Sequence, residues 1–192
     1  MKKYFALMVA ALFSLTTFIL PSSASADTSL DNAIANFKQA KETKTFFQTA
    51  YGYAIFPTVG KGGIGIGAAY GKGKVYKGGT YTGDSSLTQI SIGFQLGGQA
   101  YSEIIFFKDA KAYGEFTSGS FEFGAQASAV AINVGANAQA GTTGNSAGAG
   151  QSGGKQAASA AYVNDMAVFT AAKGGLMYEA ALAGQSFTFE PK

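Results

Sequence analysis

A short run in which glycine alternates with apolar residues limits the chain to an extended conformation. Its glycines are Gly63, Gly65 and Gly67, and the residues between and after them are Ile64, Ile66 and Ala68. A period of two is typical of a β-strand, because a helix repeats every 3.6 residues. A glycine face has no side chains, so it suits a barrel corner or the close approach of another backbone. The run predicts a strand over Gly62–Tyr70 in a bent sheet.

Further stretches have strand periodicity, and turn signals separate them. The predicted strands are Val75–Tyr81, Thr88–Leu96 and Ser102–Phe107, with turns at Gly71–Gly73, Gly83–Ser85 and Gly97–Gly98. Alternation in Thr88–Leu96 predicts a buried face made of Ile90, Ile92, Phe94 and Leu96. A meander of this kind has one face in the core.

Both ends of the chain add elements to this sheet. Apolar residues recur at three and four positions over Ser29–Phe47 and predict a helix there. A short helix is predicted at Asp109–Phe116, and the remaining predicted strands are Ser120–Phe123, Ala125–Ala140, Met166–Ala171, Leu176–Ala183 and Ser186–Glu190. The predicted fold class is α+β, with an antiparallel, barrel-like β-sheet core, an N-terminal helix and one or two short helices.

The second half of the N-terminal helix carries Lys38, Lys41 and Lys44. On a helical wheel, Lys41 and Lys44 share the azimuth of the apolar stripe. Two interpretations follow: a helix docked on the sheet with its lysines solvated, or a helix on a membrane surface with snorkelling lysines.

Residues 1–26 have the features of a secretory signal peptide. Lys2 and Lys3 precede an apolar run from Tyr4 to Leu20, Pro21 follows it, and Ala24 and Ala26 form a cleavage motif. A retained transmembrane anchor is the alternative. Removal of this segment leaves residues 27–192 as a single domain, with a flexible loop rich in glycine, alanine and serine at about 141–156. The chain is expected to be exported, periplasmic or secreted.

The composition excludes much enzyme chemistry. Cysteine and histidine are absent, so thiolate sites, histidine bases, usual zinc sites and a lipoprotein cysteine cannot occur. The carboxylates are scattered without a diagnostic pair, and Gly60–Gly65 matches a dinucleotide-binding pattern but continues as a strand where a helix is needed. We expect no enzyme activity, catalytic residue, metal or cofactor.

Lysine and tyrosine cluster in the first predicted hairpin. No acidic residue lies between Glu42 and Asp84, whereas this interval holds Lys44, Lys61, Lys72, Lys74 and Lys77. Tyr70, Tyr76 and Tyr81 are interleaved with them. Aromatic rings beside lysines suit a membrane interface, and an ordinary solvated hairpin is the alternative. Export argues against nucleic acid as a partner.

Several ordered motifs resemble one family. They are Ala54-Ile55-Phe56-Pro57, Lys61 to Gly67, Tyr70 to Val75, Ile92 to Ala100, and Lys173-Gly174-Gly175-Leu176 followed by Gly184. This pattern resembles SYLF domains, lipid-binding modules that include yeast actin-patch proteins. The resemblance implies a β-rich phospholipid binder, with phosphoinositides among its ligands, and no catalytic residue. Actin is not an expected partner of an exported chain.

The predicted function is therefore non-enzymatic, peripheral binding to an anionic phospholipid membrane. The candidate electrostatic contacts are Lys38, Lys41, Lys44, Lys61, Lys72, Lys74 and Lys77, and the interfacial aromatic residues are Tyr70, Tyr76 and Tyr81. A structural or assembly protein of the cell envelope and a carrier of a small apolar ligand are the alternatives.

Overall fold

The computed structural model describes residues 23–64, 66–92, 98–124, 127, 129–132, 160–173 and 182–192. Within these ranges the elements are, in chain order, α1 (Ser23–Gln39), α2 (Lys44–Thr49), β1 (Gly52–Ile64), β2 (Ile66–Lys77), β3 (Thr80–Ile92), β4 (Gln99–Phe107), α3 (Ala110–Phe116), β5 (Phe121–Glu122), β6 (Val130–Ile132), β7 (Met166–Ala172) and β8 (Gln185–Pro191).

The eight strands form one sheet in the order β5-β8-β3-β2-β1-β4-β7-β6. Neighbouring strands are antiparallel except β6 and β7, which run parallel. The sheet curves into a half-barrel. The predicted α+β class with a barrel-like core is confirmed.

Apolar clusters lie on both faces of the sheet. In the hollow of the half-barrel, Phe116 of α3 packs against Phe107 and Phe187, with ring centroids 4.9 and 5.1 Å away. On the outer face, α1 and α2 cover β1, β4 and β7, where the Phe46 ring lies 5.5 Å from that of Phe106. Strand β4 is consequently buried on both faces over residues 101–107.

The glycine run contains a strand reversal, and this corrects the prediction of a single strand over Gly62–Tyr70. Strand β1 ends at Ile64 and β2 begins at Ile66, so Gly63 lies opposite Gly67 across the hairpin. Gly63 has φ of +149°, a conformation that residues with a side chain rarely adopt. Glycine suits both a strand and a reversal, and the spacing alone does not distinguish them.

The predicted turns at Gly71–Gly73 and Gly83–Ser85 are also wrong, because these residues lie inside β2 and β3. A Cβ atom on Gly73 would lie 2.6 Å from the Ile55 carbonyl oxygen, so glycine there permits close strand contact instead of a turn. The reversal between β2 and β3 is at Gly78 and Gly79, which have positive φ.

The predicted helix over Ser29–Phe47 is two helices, separated at residues 40–43. Thr43 is fully buried, and its hydroxyl donates a bifurcated hydrogen bond shared by the carbonyl oxygens of Phe37 and Ala40, the latter at 3.1 Å. A hydroxyl that binds these carbonyls competes with continuation of the helix. Helix α1 docks on the sheet through Leu30 and Phe37, which is the first of the two interpretations of this segment.

Strand β3 faces opposite to the prediction. Leu87 and Gln89 are buried, whereas Ile90 is 75% exposed. Buried and exposed residues do alternate along β3, but the set that contains Ile90 is the exposed one. Short alternating runs specify a period, and only packing selects the face that is buried.

The predicted strand Val75–Tyr81 is wrong as a single strand, because it contains the reversal between β2 and β3. The predicted elements Asp109–Phe116, Ser120–Phe123, Met166–Ala171 and Ser186–Glu190 agree with α3, β5, β7 and β8, and Ser102–Phe107 lies within β4. Within Ala125–Ala140, β6 is a strand as predicted. The loop at 141–156, residues 1–22 of the predicted signal peptide, Phe94 and Leu96, and most of Leu176–Ala183 lie outside the described residues. None of the described helices combines the length and apolar character needed to span a membrane.

Candidate functional site

An open groove of about 640 Å³ lies between the start of α1 and the outward face of β2, β3 and β8. Two cross-strand rows line the sheet side of this groove: Lys72, Ser86 and Thr188, then Lys74, Asp84 and Glu190. Helix α1 contributes Asp27, Ser29 and Leu30 to the other side. Lys72 and Lys74 share the groove because residues two apart on a strand point to the same face.

The two groove lysines have different surroundings. Lys74 Nζ lies 3.7 Å from Asp27 Oδ1 and 5.2 Å from the centroid of the Tyr81 ring. For Lys72, none of the described carboxylates lies within the 4.0 Å ion-pair distance. Lys72 is therefore the groove lysine available to an added anion. The groove as a whole has one more carboxylate than lysine, because Asp27, Asp84 and Glu190 also line it.

Hydroxyl groups lie in the same row as Lys72. The Ser86 Oγ and Thr188 Oγ1 atoms are 2.6 Å apart and form a hydrogen bond in which either can donate. Lysine ammonium and hydroxyl groups are donors for phosphate oxygens, and the hydroxyls also accept from ligand hydroxyls. This row offers contacts to a phosphorylated or polyhydroxylated group.

Two of the predicted contact lysines point away from the groove. Lys61 lies opposite the buried Ala69, so it belongs to the other face of the sheet from Lys72. Lys77 is at the far end of β2, with Nζ 5.2 and 5.8 Å from the ring centroids of Tyr51 and Tyr113.

The three helix lysines form a separate group. Lys38, Lys41 and Lys44 are all exposed. Lys38 follows Asp27 by eleven residues on α1, which corresponds to about 16 Å along a helix axis. The seven predicted lysines do not form one patch, because the break in the helix and the sheet register distribute them over separate surfaces.

The three predicted tyrosines also have different positions. Tyr70 is 52% exposed and lines the groove. Tyr76 stacks on Tyr53 with centroids 4.9 Å apart, and burial together with Tyr76 raises the pKa of Tyr53 to about 12. Tyr81 is half-buried and lies under Lys74. Among the three, Tyr70 is the one with a largely exposed ring.

A comparison with protein families gives one match. The family described as Las17-binding protein actin regulator, Ysc84, matches residues 88–191. This range is 104 of the 192 residues, more than half of the chain. The chain belongs to the Ysc84 (SYLF) family. No curated protein sequence matches it significantly. The suspected family is thus confirmed.

The SYLF match begins within β3 and ends with β8. Thr188 and Glu190 of the groove lie inside the matched range, whereas Lys72 and Lys74 precede it. The matched range therefore includes β8 and the end of β3, whereas β2 and the groove residues Asp84 and Ser86 precede it.

The interior of this SYLF domain contains a polar cluster that the sequence predictions missed. Gln185 Nε2 donates to Glu103 Oε2 at 3.1 Å and to the Tyr101 hydroxyl oxygen at 3.3 Å. Burial raises the pKa of Glu103 to about 8, and the hydrogen bond from Gln185 opposes this effect. The sequence contains a signal for this cluster, because Glu103 is two residues from Ile105 and four from Phe107 on β4 and so shares the face of these core residues. No cluster of three metal-ligating side chains occurs among the described residues.

Proposed function

We propose that the chain is a non-enzymatic phospholipid-binding module that acts peripherally at an anionic membrane surface, with Lys72 as its main phosphate contact. The observation that supports this proposal is the row formed by Lys72, Ser86 and Thr188 in an open groove. A phosphate accepts hydrogen bonds from lysine and hydroxyl donors, and an inositol headgroup has further hydroxyls for Ser86 and Thr188.

The charges of the groove set the expected strength of binding. A lysine near an anionic lipid surface contributes about 1 kcal/mol. The carboxylates of Asp27, Asp84 and Glu190 offset part of this attraction. Because exposed charges are screened within about 10 Å at 0.1 M salt, binding should be weak and should decrease as salt is added.

The predicted processing step would add a cation to the groove. In this proposal the chain is exported, and cleavage before Asp27 removes the beginning of α1, which starts at Ser23. The new α-amino group would belong to Asp27, which lines the groove, and the usual pKa of an α-amino group is about 8. Its charge would balance the single excess carboxylate of the groove.

Vesicle co-sedimentation tests the proposal. The chain starting at Asp27 is mixed with phosphatidylcholine vesicles, either pure or containing phosphatidylglycerol or phosphatidylinositol phosphate. We expect binding to the anionic vesicles that decreases with salt. The double variant Lys72→Gln/Lys74→Gln should bind roughly 30-fold more weakly, since two charges correspond to about 2 kcal/mol.

Two further double variants remove the same net charge elsewhere. Lys108→Gln/Lys111→Gln is the matched control, because these exposed lysines pair with Asp165 and Glu115 away from the groove. Lys41→Gln/Lys44→Gln tests the separate helix group. Equal loss in all three variants would show a general charge effect and reject the groove. Binding that ignores lipid charge and salt would reject the electrostatic mechanism.

A structural or assembly role in the cell envelope is the alternative. The family description names Las17 binding and actin regulation, so a protein could occupy the groove in place of a lipid. An exported chain is not expected to meet actin. Failure to bind every vesicle composition would favour this alternative.

A further inference from the structure

The tip of the β2–β3 region exposes a contiguous apolar surface. Ile66 is 66% exposed, Ile90 is 75% exposed, and Ala68 is exposed between them. Ala68 lies directly opposite Ile90 in the antiparallel register, and Ile66 is two residues from Ala68 on the same outward face. We name Ile66, Ala68 and Ile90 the apolar tip.

This concentration of exposed apolar groups is specific to one end of the sheet. Among the residues that the structure describes, the large hydrophobic side chains that are exposed are Ile66, Tyr70, Ile90 and Val163. Three of these four belong to the apolar tip or adjoin it, and Val163 is at the opposite end of the sheet, beside Met166. Contiguous exposed apolar patches are typical of interaction sites.

The outward residues of β2 change character in a fixed order from the tip. Ile66 and Ala68 are followed by Tyr70, then by Lys72 and Lys74. At a rise of about 3.4 Å per residue, Tyr70 lies about 14 Å from Ile66 and Lys72 a further 7 Å away. In a bilayer, apolar groups occupy the hydrocarbon, aromatic rings the headgroup boundary and lysines the phosphate level.

We propose that the apolar tip inserts into the acyl-chain region of a phospholipid bilayer, with Tyr70 at the headgroup boundary and Lys72 at the phosphates. This inference rests on the proposed function and gives it a second, hydrophobic component. Lys61, on the other face of the sheet, lies opposite Ala69 and reaches the headgroups at nearly the same depth as Tyr70.

The tyrosine and lysine that follow the tip along β2 favour a lipid surface over a second copy of the chain. Lys72 lies on the same outward face as the tip and is complementary to lipid phosphate. A second copy that docked tip to tip would leave Tyr70 and Lys72 of both copies outside the contact, whereas a bilayer engages them at the headgroup and phosphate levels. Hydrophobic insertion also makes the salt dependence incomplete, because burial of apolar area does not weaken as salt is added.

A single tryptophan reports insertion, because the chain contains none. The variant Ile90→Trp is mixed with vesicles of phosphatidylcholine and phosphatidylglycerol whose acyl chains carry bromine. We expect a blue-shifted emission that the brominated lipid quenches. Val163→Trp is the matched control, since Val163 is also an exposed apolar residue at 47% exposure. Its emission should not change.

The double variant Ile66→Ser/Ile90→Ser measures the contribution of the tip to affinity. We expect vesicle binding about 100-fold weaker than that of the unmodified chain, an unchanged unfolding midpoint, and wild-type binding by Val163→Ser. A folded tip variant with wild-type affinity, or no quenching of Ile90→Trp on vesicles that bind the protein, overturns insertion and leaves the proposed function standing.

Two other results also overturn the inference. No binding of the unmodified chain to any vesicle would reject the proposed function together with insertion. Sedimentation velocity that shows a dimer, dissociated by Ile66→Ser/Ile90→Ser, would assign the tip to contact between copies, provided that the double variant retains wild-type vesicle affinity.

Discussion

The outer face of the half-barrel has a covered half and a bare half. On the covered half, α1 and α2 lie over β1, β4 and β7, and the outward side chains are apolar residues such as Ile104, Phe106 and Phe169. On the bare half, the outward positions of β2, β3 and β8 are tyrosines, lysines, carboxylates and hydroxyls up to the apolar tip.

The comparison shows how one sheet supports both stability and binding. Strand β4 is buried on both faces over residues 101–107, and its last four residues, Ile104 to Phe107, are all apolar. Strand β2 alternates buried and exposed residues, so its inner face packs while its outer face remains available. The groove lies at the boundary between the covered and bare halves, beside the start of α1.

The largest expected effect is on the covered half. Phe106 is fully buried, with ring centroids 4.9 Å from Phe47 and 5.9 Å from Phe169. Phe106→Ala should lower the free energy of unfolding by about 3–5 kcal/mol. Tyr70→Ala on the bare half should change it by less than about 0.5 kcal/mol. Urea unfolding measures both, and similar losses would contradict the distinction between the halves.

The next effect concerns the buried acid of β4. Because the pKa of Glu103 is raised to about 8 in the fold, the unfolded chain loses this proton at lower pH than the native protein does. Stability should therefore fall as pH rises from about 4.5 to about 8, by up to a few kcal/mol.

The variant Glu103→Gln isolates this contribution. It keeps a neutral side chain of the same shape and should remove that part of the pH dependence. Urea midpoints across the same pH interval provide the measurement. A slope identical in the variant and the parent would mean that Glu103 is ionised in the native protein.

The smallest expected effect is at the boundary between the halves. Asp27 is 69% exposed in its pair with Lys74, so Asp27→Asn should change the free energy of unfolding by less than about 0.5 kcal/mol. Loss of one negative charge from the groove should strengthen binding to anionic vesicles about fivefold. Glu122→Gln, an exposed acid on β5, is the control. Equal gains in both variants would attribute the effect to net charge alone.

Much of the architecture could be predicted from local patterns. Asp109 caps α3 by accepting a hydrogen bond from the backbone N–H of Ala112, as a residue of this type does at a helix start. The strand periodicity and the ordered glycine motifs indicate the fold class and the SYLF family from the amino-acid sequence alone. Lys72 and Lys74 were identified as neighbours because a strand places alternate residues on one face.

The errors have one physical origin. Glycine at positions 71–73 predicted a turn, but Gly73 is required by the close approach of Ile55 and Phe56 on β1. The predicted long helix is interrupted at residues 40–43, where the buried Thr43 hydroxyl lies against the carbonyl oxygens of Phe37 and Ala40. Neither contact can be identified from the local sequence, because each depends on how the segment packs or folds back on itself.

The amino-acid sequence by itself determined the α+β class, the period of the strands and the lack of cysteine and histidine chemistry. Tertiary structure decided where the chain reverses, which phase of each strand is buried and which lysines are neighbours. The physical reason is that a period of two makes both faces of a strand equivalent until another layer covers one of them. Helix α1 packs on β1 and leaves the outward face of β2 open at the groove. The alternating glycine run joins these two strands as a hairpin, next to the exposed apolar tip.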